Sequence, residues 1–361
     1  MTSTGNIPYY TGIPEDQPTT KKLENLPSPD INRKLDPARY YAPSGLRDAV
    51  NVALELGLPL LLTGEPGVGK SSLARSVNRW LGFEENELLH LTVKSDIQSS
   101  DLFYRFDTLS RFHATHDATK SAEEASGKHF IRYHALGRAI LLAKGRKGIP
   151  PDLMADITLE KDYPTDRRRS VVLIDEIDKA PRDIPNDILN EIERMEFTVP
   201  ELFIDTPIKL EGEDHKHRPI VIITSNSERE LPEAFLRRCL YYHLEMPPFR
   251  EDLDQNADPN EPTVESIVAA RLGDLFEPGA PVPDDALSLF RHLRGPLGPQ
   301  RKPSLAELLD WLHYLGKRSF NEQSLVDRPD FEISLKTTLL KYQADQNAAL
   351  AHVQAWQQTR S

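Results

Sequence analysis

At 361 residues the chain is longer than one compact core usually takes, so two or three folded units are expected. Its 56 acidic against 44 basic side chains give a formal charge of -12, which argues against the dense cationic face a nucleic acid needs. The one cysteine, Cys239, excludes an internal disulfide framework and a multi-thiolate metal site, and it suits a reducing, cytoplasmic setting.

Met1 to Thr11 lacks the basic and apolar regions of a signal peptide. The most apolar segment, Val52 to Leu62, carries Glu55 and Pro59, so no membrane span is expected. Residues 1–36 are polar and proline-punctuated and read as an extended arm. From Gly45 the pattern changes. Leu46, Val50, Ala53 and Leu54 recur at helical spacing, Gly57 stops the helix, and Leu58 to Leu62 reads as a buried strand. After a glycine-rich turn, Leu73, Val77, Trp80 and Leu81 predict a second helix, and Leu88 to Val93 a second strand.

Further buried strands are predicted at Val171 to Ile174, Ile220 to Thr224 and Tyr241 to Met246, with helices over Ile184 to Met195 and Pro232 to Arg238. This alternation implies a wound parallel sheet, an α/β domain over 37–250. From about 263 onward only helical faces recur: Val264, Ile267, Val268 and Leu272, then Ala286, Leu289, Phe290 and Leu293. A third helix opens on the capping box Ser304 and Glu307, and together these give a small all-helical domain over 251–325. Residues 326–361 are expected to form a C-terminal helical extension, in which the stretch from Leu335 to Trp356 has helical composition and packs on that domain or on a neighbouring molecule.

The turn Gly64-Glu65-Pro66-Gly67-Val68-Gly69-Lys70-Ser71, with Ser72 next in the helix, fits a triphosphate cradle. Glycines let backbone N–H groups converge on phosphate oxygens at a helix N-terminus. Lys70 would reach the β and γ phosphates, and the Ser71 hydroxyl would coordinate Mg2+. The strand Val171 to Ile174 delivers Asp175 and Glu176 at its carboxyl end. There Asp175 would hold Mg2+ through water and Glu176 would orient or deprotonate the attacking water. Asn226, after the strand Ile220 to Thr224, would set an amide beside the γ-phosphate if that strand lies between the other two; taken alone, an asparagine at a strand end is more often a turn residue. Asp178 and Lys179 are read as ordinary solvated residues.

These elements, in this order, resemble the AAA+ superfamily, and more narrowly its MoxR-like ATPases, over roughly 40 to 320. Ile188 to Val199 is similar to the MoxR helix-and-hairpin segment, and Leu231 to Arg238 to its arginine-finger helix. The resemblance implies a P-loop NTPase sandwich with a central parallel five-stranded sheet and a helical lid, and ATP hydrolysis with Mg2+. It further implies a homo-oligomeric, hexameric ring in which Arg238, or Arg237 beside it, is donated across the interface. The alternative for both arginines is a salt bridge near a helix end. The stretch from Asp101 to Leu136 is similar to the family's hairpin insert, about 95–145, which lines the ring pore in related proteins. Phe103, Tyr104 and Phe112 there read either as client-gripping or as local core.

The family's usual sensor 2 arginine would align near Leu305, which leaves Arg301 and Lys302, about one turn earlier, as the cations for the γ-phosphate or as a solvated pair. The implied function is a remodelling or chaperone-like motor acting on a partner protein, one carrying a von Willebrand factor A domain. The alternative is a nucleotide-gated scaffold or switch in a multi-protein signalling or defence assembly. His113 with His116, His215 with His217, and Arg167 to Arg169 read as solvated groups and not as sites.

Overall fold

The computed structural model describes residues 36–117, 121, 126–150, 153, 164–202, 204–254, 258–276, 281–296, 298–317 and 324–360; the expected N-terminal arm, residue 36 apart, lies outside them. Helix α1 (Ser44–Leu56) feeds β1 (Leu60–Thr63), and α2 (Lys70–Trp80) leads to β2 (Leu89–Thr92). A small antiparallel pair follows, β3 (Tyr104–Phe106) with β4 (Ile131–Tyr133), enclosing α3 (Thr108–His116) and preceding α4 (Ala135–Lys144). Strand β5 (Val171–Asp175) is followed by the short helices α5 (Ile184–Asp187) and α6 (Leu189–Arg194). A second antiparallel pair, β6 (Glu196–Val199) with β7 (Ile204–Lys209), comes next, then β8 (Ile220–Thr224), α7 (Glu233–Leu236) and β9 (Leu240–His243).

Five strands form one parallel sheet in the order β2-β5-β8-β1-β9. Strand β8 therefore lies between β1 and β5. The two apolar faces of the strands bury different helices. Leu61, Val172, Ile174, Val221 and Ile223 pack with Leu136, Ile140 and Leu141 of α4. Leu60, Leu62, Val171, Leu173 and Ile222 pack with Leu46 of α1 and Leu73 and Val77 of α2. Each leucine so enclosed contributes roughly 1.5–3 kcal/mol relative to exposure, which fixes the register and brings all the strand ends to one edge.

The helical domain follows: α8 (Val264–Leu272), α9 (Pro281–Arg294), α10 (Leu305–Gly316), α11 (Phe331–Thr338), α12 (Gln343–Asn347) and α13 (Ala349–Arg360). The C-terminal helices share one core with the lid helices, as Leu289, Phe290 and Leu312 join Leu335, Leu339 and Trp356. Two indole N–H groups stitch them together, Trp311 donating to Ser334 Oγ at 3.1 Å and Trp356 to Ser288 Oγ at 3.0 Å. The stretch from Leu335 to Trp356 is helical, as expected, and runs through three helices. Tyr342 is extended (φ -104, ψ 141), and the Gln346 amide donates to the carbonyls of Lys336, in the last turn of α11, and of Leu340, just beyond it. The helix expected over Ile184 to Met195 is likewise broken at Ile188 (φ -89, ψ 2). Among the described residues no helix is long and apolar enough to cross a membrane.

One buried carboxylate pins the strands that carry the site. Asp214, 3% exposed in the turn before β8, accepts from Arg167 Nε (2.7 Å), Lys144 Nζ (3.2 Å) and the Glu211 N–H (3.1 Å). Arg167 to Arg169 are thus structural and not free in solvent: Arg168 pairs with Glu87 and lies over the Phe83 ring, and Arg169 donates to the Lys216 carbonyl. Burial pushes the Asp214 carboxyl up, but its donors outweigh that and hold it below the usual carboxylate range. The stabilisation is therefore present above the ordinary aspartate pKa of about 3.9 and is lost as pH falls through the lower folded value. Asp214→Ala is expected to cost about 3 kcal/mol at neutral pH by leaving two cations unpaired. Denaturant titrations should show the gap to the unmodified chain narrowing below about pH 3.9.

Candidate functional site

The sequence between β1 and α2 forms a closed loop over the carboxyl edge of the sheet. Gly64 (φ 143) and Gly67 (φ 79) adopt conformations that L side chains rarely take. At Gly64 a Cβ would meet the Leu244 carbonyl at 2.2 Å, and at Gly67 it would meet Ser304 Oγ and the Ala306 Cβ at 3.0 Å. The start of α10 therefore lies directly against the glycine-rich turn. Lys70, buried, donates from Nζ to the carbonyls of Gly64 (2.8 Å) and Glu65 (2.9 Å), so the ammonium is held inside the loop. Burial pulls it below the ordinary lysine range, against the opposing pull of Asp175, Asp178, Glu176 and Glu65.

Parallel pairing brings the other groups alongside. Ser71 Oγ donates to Asp175 Oδ1 at 2.7 Å, and Thr224 Oγ1, from the end of β8, donates to the same oxygen at 2.5 Å. His90 on β2 stands 3.4 Å from Asp175 Oδ2. Burial raises the Asp175 carboxyl, but the hydrogen bonds from His90, Thr224 and Ser71 prevail and hold it at about 2, so it is anionic at neutral pH. The oxygens of Ser71, Thr224 and Asp175 face one another here, which fits Mg2+, an ion that takes oxygen ligands and keeps most of its waters and phosphate partners. Ser71 and Asp175 would hold it. Among the described residues no cluster of three or more His, Cys, Asp or Glu forms a cage of its own.

Glu176 has left-handed backbone angles (φ 63, ψ 49), a conformation costing about 1–3 kcal/mol for a non-glycine residue. The Glu176 N–H donates to Thr224 Oγ1 at 2.9 Å, which ties the turn to β8. Its carboxylate accepts from Lys179 Nζ at 2.6 Å and from Asn226 Nδ2 at 3.3 Å. The placement of β8 between β1 and β5 thus brings Asn226 to Glu176. Asp178, expected in solvent, is 3% exposed, because the loop after β8 closes over it.

The lid contributes a cation that sequence reasoning passed over. Arg294, at the end of α9 and 13% exposed in its side chain, donates to Glu65 Oε2 at 2.9 Å and to the Pro303 carbonyl at 2.7 Å. Arg301 instead pairs with Glu307 at 2.8 Å, and Lys302 is exposed. Arg238 pairs with Glu193 at 2.8 Å and Arg237 with Glu233 at 3.1 Å, both on the exposed surface. Neither is hydrogen-bonded to the glycine-rich turn. Pro66, Val68, Gly69 and Ser72 complete the loop and the first helix turn; Val68 is buried and Gly69 is the N-cap of α2. Phe103 and Tyr104 are core residues, whereas Phe112 is exposed on α3.

Comparison with protein families matches residues 59–239 to the AAA domain of the dynein-related subfamily. No curated protein matches the chain. Among solved structures, domain III of the replication initiation protein DnaA of Thermotoga maritima matches at 16% identity and a TM-score of 0.39, over 85% of this chain and 97% of that one. NtrX of Brucella abortus in complex with ADP matches at 15% identity and a TM-score of 0.41, over 91% of this chain and 63% of that one.

Proposed function

Because the chain belongs to the dynein-related subfamily of AAA domains and is an ATPase, we propose that it is a MoxR-like motor in which identical subunits form a hexameric ring and remodel a partner protein. The partner class we propose is a protein carrying a von Willebrand factor A domain. One observation carries the ring reading: Lys70, Ser71, Asp175, Glu176 and Asn226 converge at the sheet edge, while Arg238 lies on the exposed surface and pairs with Glu193. A transition state with charge spread over the phosphoryl oxygens gains most from an arginine there, and a neighbouring copy could supply it. Bound Mg2+ would neutralise phosphate charge, while Lys70 orients the γ-phosphate and Glu176 and Asn226 hold the attacking water. Arg294, through Glu65, gives the lid a handle on the same loop, so that lid movement and nucleotide occupancy are coupled.

The contact between Glu176 and Lys179 at 2.6 Å favours a second reading, a scaffold that assembles on ATP and resets slowly. Blocked turnover separates the two. For the motor, the ATP-loaded Glu176→Gln chain should bind the partner and leave it unremodelled, because remodelling needs hydrolysis. A partner response that needs bound ATP and is indifferent to blocked turnover would refute the motor and leave the scaffold.

A further inference from the structure

We propose that Asp178 is a positioning residue of the hydrolytic site: its buried carboxylate clamps the loop after β8 and so holds the Asn226 amide against Glu176, a role that rests on the hydrolytic reading above. A carboxylate 3% exposed requires donors to offset its lost hydration. Here they are two main-chain N–H groups of one loop, Asn226 onto Oδ1 at 3.3 Å and Glu228 onto Oδ2 at 2.9 Å. Between them Ser227 is left-handed (φ 58) and its N–H donates to Ser225 Oγ at 3.0 Å, so residues 225–228 wrap around the carboxylate.

The side-chain bond from Asn226 to Glu176 is single and long, 3.3 Å, whereas Asp178 holds the loop at two points, one of them at 2.9 Å. On the other oxygen of Glu176, Lys179 is 42% exposed in its side chain, and such a contact contributes little against solvent. The clamp acts beside the 2.9 Å bond from the Glu176 N–H to Thr224 Oγ1, which ties the turn to the end of β8 but does not reach Asn226 itself. Asp178 and Lys179 belong to the single turn Ile177–Lys179 that follows Glu176 directly, so the amide is referenced to the segment that carries the carboxylate. An error of about 1 Å in such an arrangement can cost roughly 100-fold in rate.

The test uses the full chain with Asp178→Ala and Asp178→Asn, each alone and combined with Asn226→Ala. It measures turnover at saturating ATP and Mg2+, the affinity for a fluorescent ATP analogue, and amide exchange over 225–228 and 64–72. Asp178→Ala is expected to lower kcat about 10–100-fold with affinity within about twofold. It should also strip protection from 225–228 and not from 64–72, and cause no further loss once Asn226 is alanine. Asp178→Asn keeps one acceptor and the side-chain shape; it should fold and lose less of both readouts, and it carries the test if the alanine variant does not fold. Unchanged protection over 225–228, or a rate loss that adds to that of Asn226→Ala, would overturn the proposal. An unmodified chain that turns over no ATP, with the clamp seen in exchange, would sink the hydrolytic reading and with it the catalytic purpose of the clamp, though not the clamp.

Discussion

Glu176→Gln is expected to reduce ATP turnover by about 100–10,000-fold while ATP remains bound, the range typical of a lost general base. The substitution keeps an acceptor for the Asn226 amide and nearly the same volume, so the turn that holds Glu176 should persist. What disappears is the negative charge that can draw a proton from water. Binding is expected to depend on other groups, the N–H groups of the glycine-rich turn and Lys70, whose Nζ is already held inside that turn. The two functions should therefore separate: Lys70→Ala loses the nucleotide, and Glu176→Gln retains it. Isothermal titration with ATP and Mg2+, beside steady-state phosphate release, reads both quantities. A Glu176→Gln chain with more than about a tenth of normal turnover would show that water is activated elsewhere.

Arg238→Ala is expected to lose about 10³–10⁵-fold in turnover, roughly 4–7 kcal/mol of transition-state stabilisation, with little change in ATP affinity. The magnitude decides between the two readings of this residue. Its ion pair with Glu193 is between side chains 38% and 54% exposed, and such pairs contribute about 0–1 kcal/mol. If that pair were the whole role of Arg238, its loss would be felt as a small change in stability. If the guanidinium leaves Glu193 for the nucleotide of a neighbouring copy, the rupture is cheap and the effect on rate is large. Arg237, paired along its own helix to Glu233, serves as the internal control, and Arg237→Ala should cost less than about tenfold. The unmodified chain should also turn over faster per subunit as its concentration rises, because dilution separates the two halves of the site.

The glycine-rich turn and the strand ending in Asp175-Glu176 were readable because their signals are local: glycines where backbone must approach ligand, and an apolar run that stops on carboxylates. The sheet was readable for the same reason, since each strand is a short apolar run between turns. Asp178 was not, because Ile177-Asp178-Lys179 looks like any polar turn and its burial comes from a loop near Asn226. Thr224 reads in sequence only as the last residue of a strand, yet its hydroxyl joins Asp175 to the Glu176 N–H once β8 lies beside β5. Arg294 was hidden by its position. It is one of the cations in the last turn of α9, which would ordinarily be read as complementing the helix dipole, and only the packing of the lid brings it to Glu65. The capping box at Ser304 was visible in sequence, but not that it would abut Gly67. In each case the missing information is a contact between segments far apart in the chain.

The most direct test of a site shared between subunits mixes two inactive chains, Glu176→Gln and Arg238→Ala, in equal amounts and measures steady-state ATP hydrolysis. In mixed rings, some interfaces set the intact Glu176 of one copy opposite the intact Arg238 of the next, about a quarter of them for random assembly. A site shared between subunits predicts that the mixture recovers up to about a quarter of normal turnover, far above either parent. A mixture no more active than the sum of its two components would contradict it.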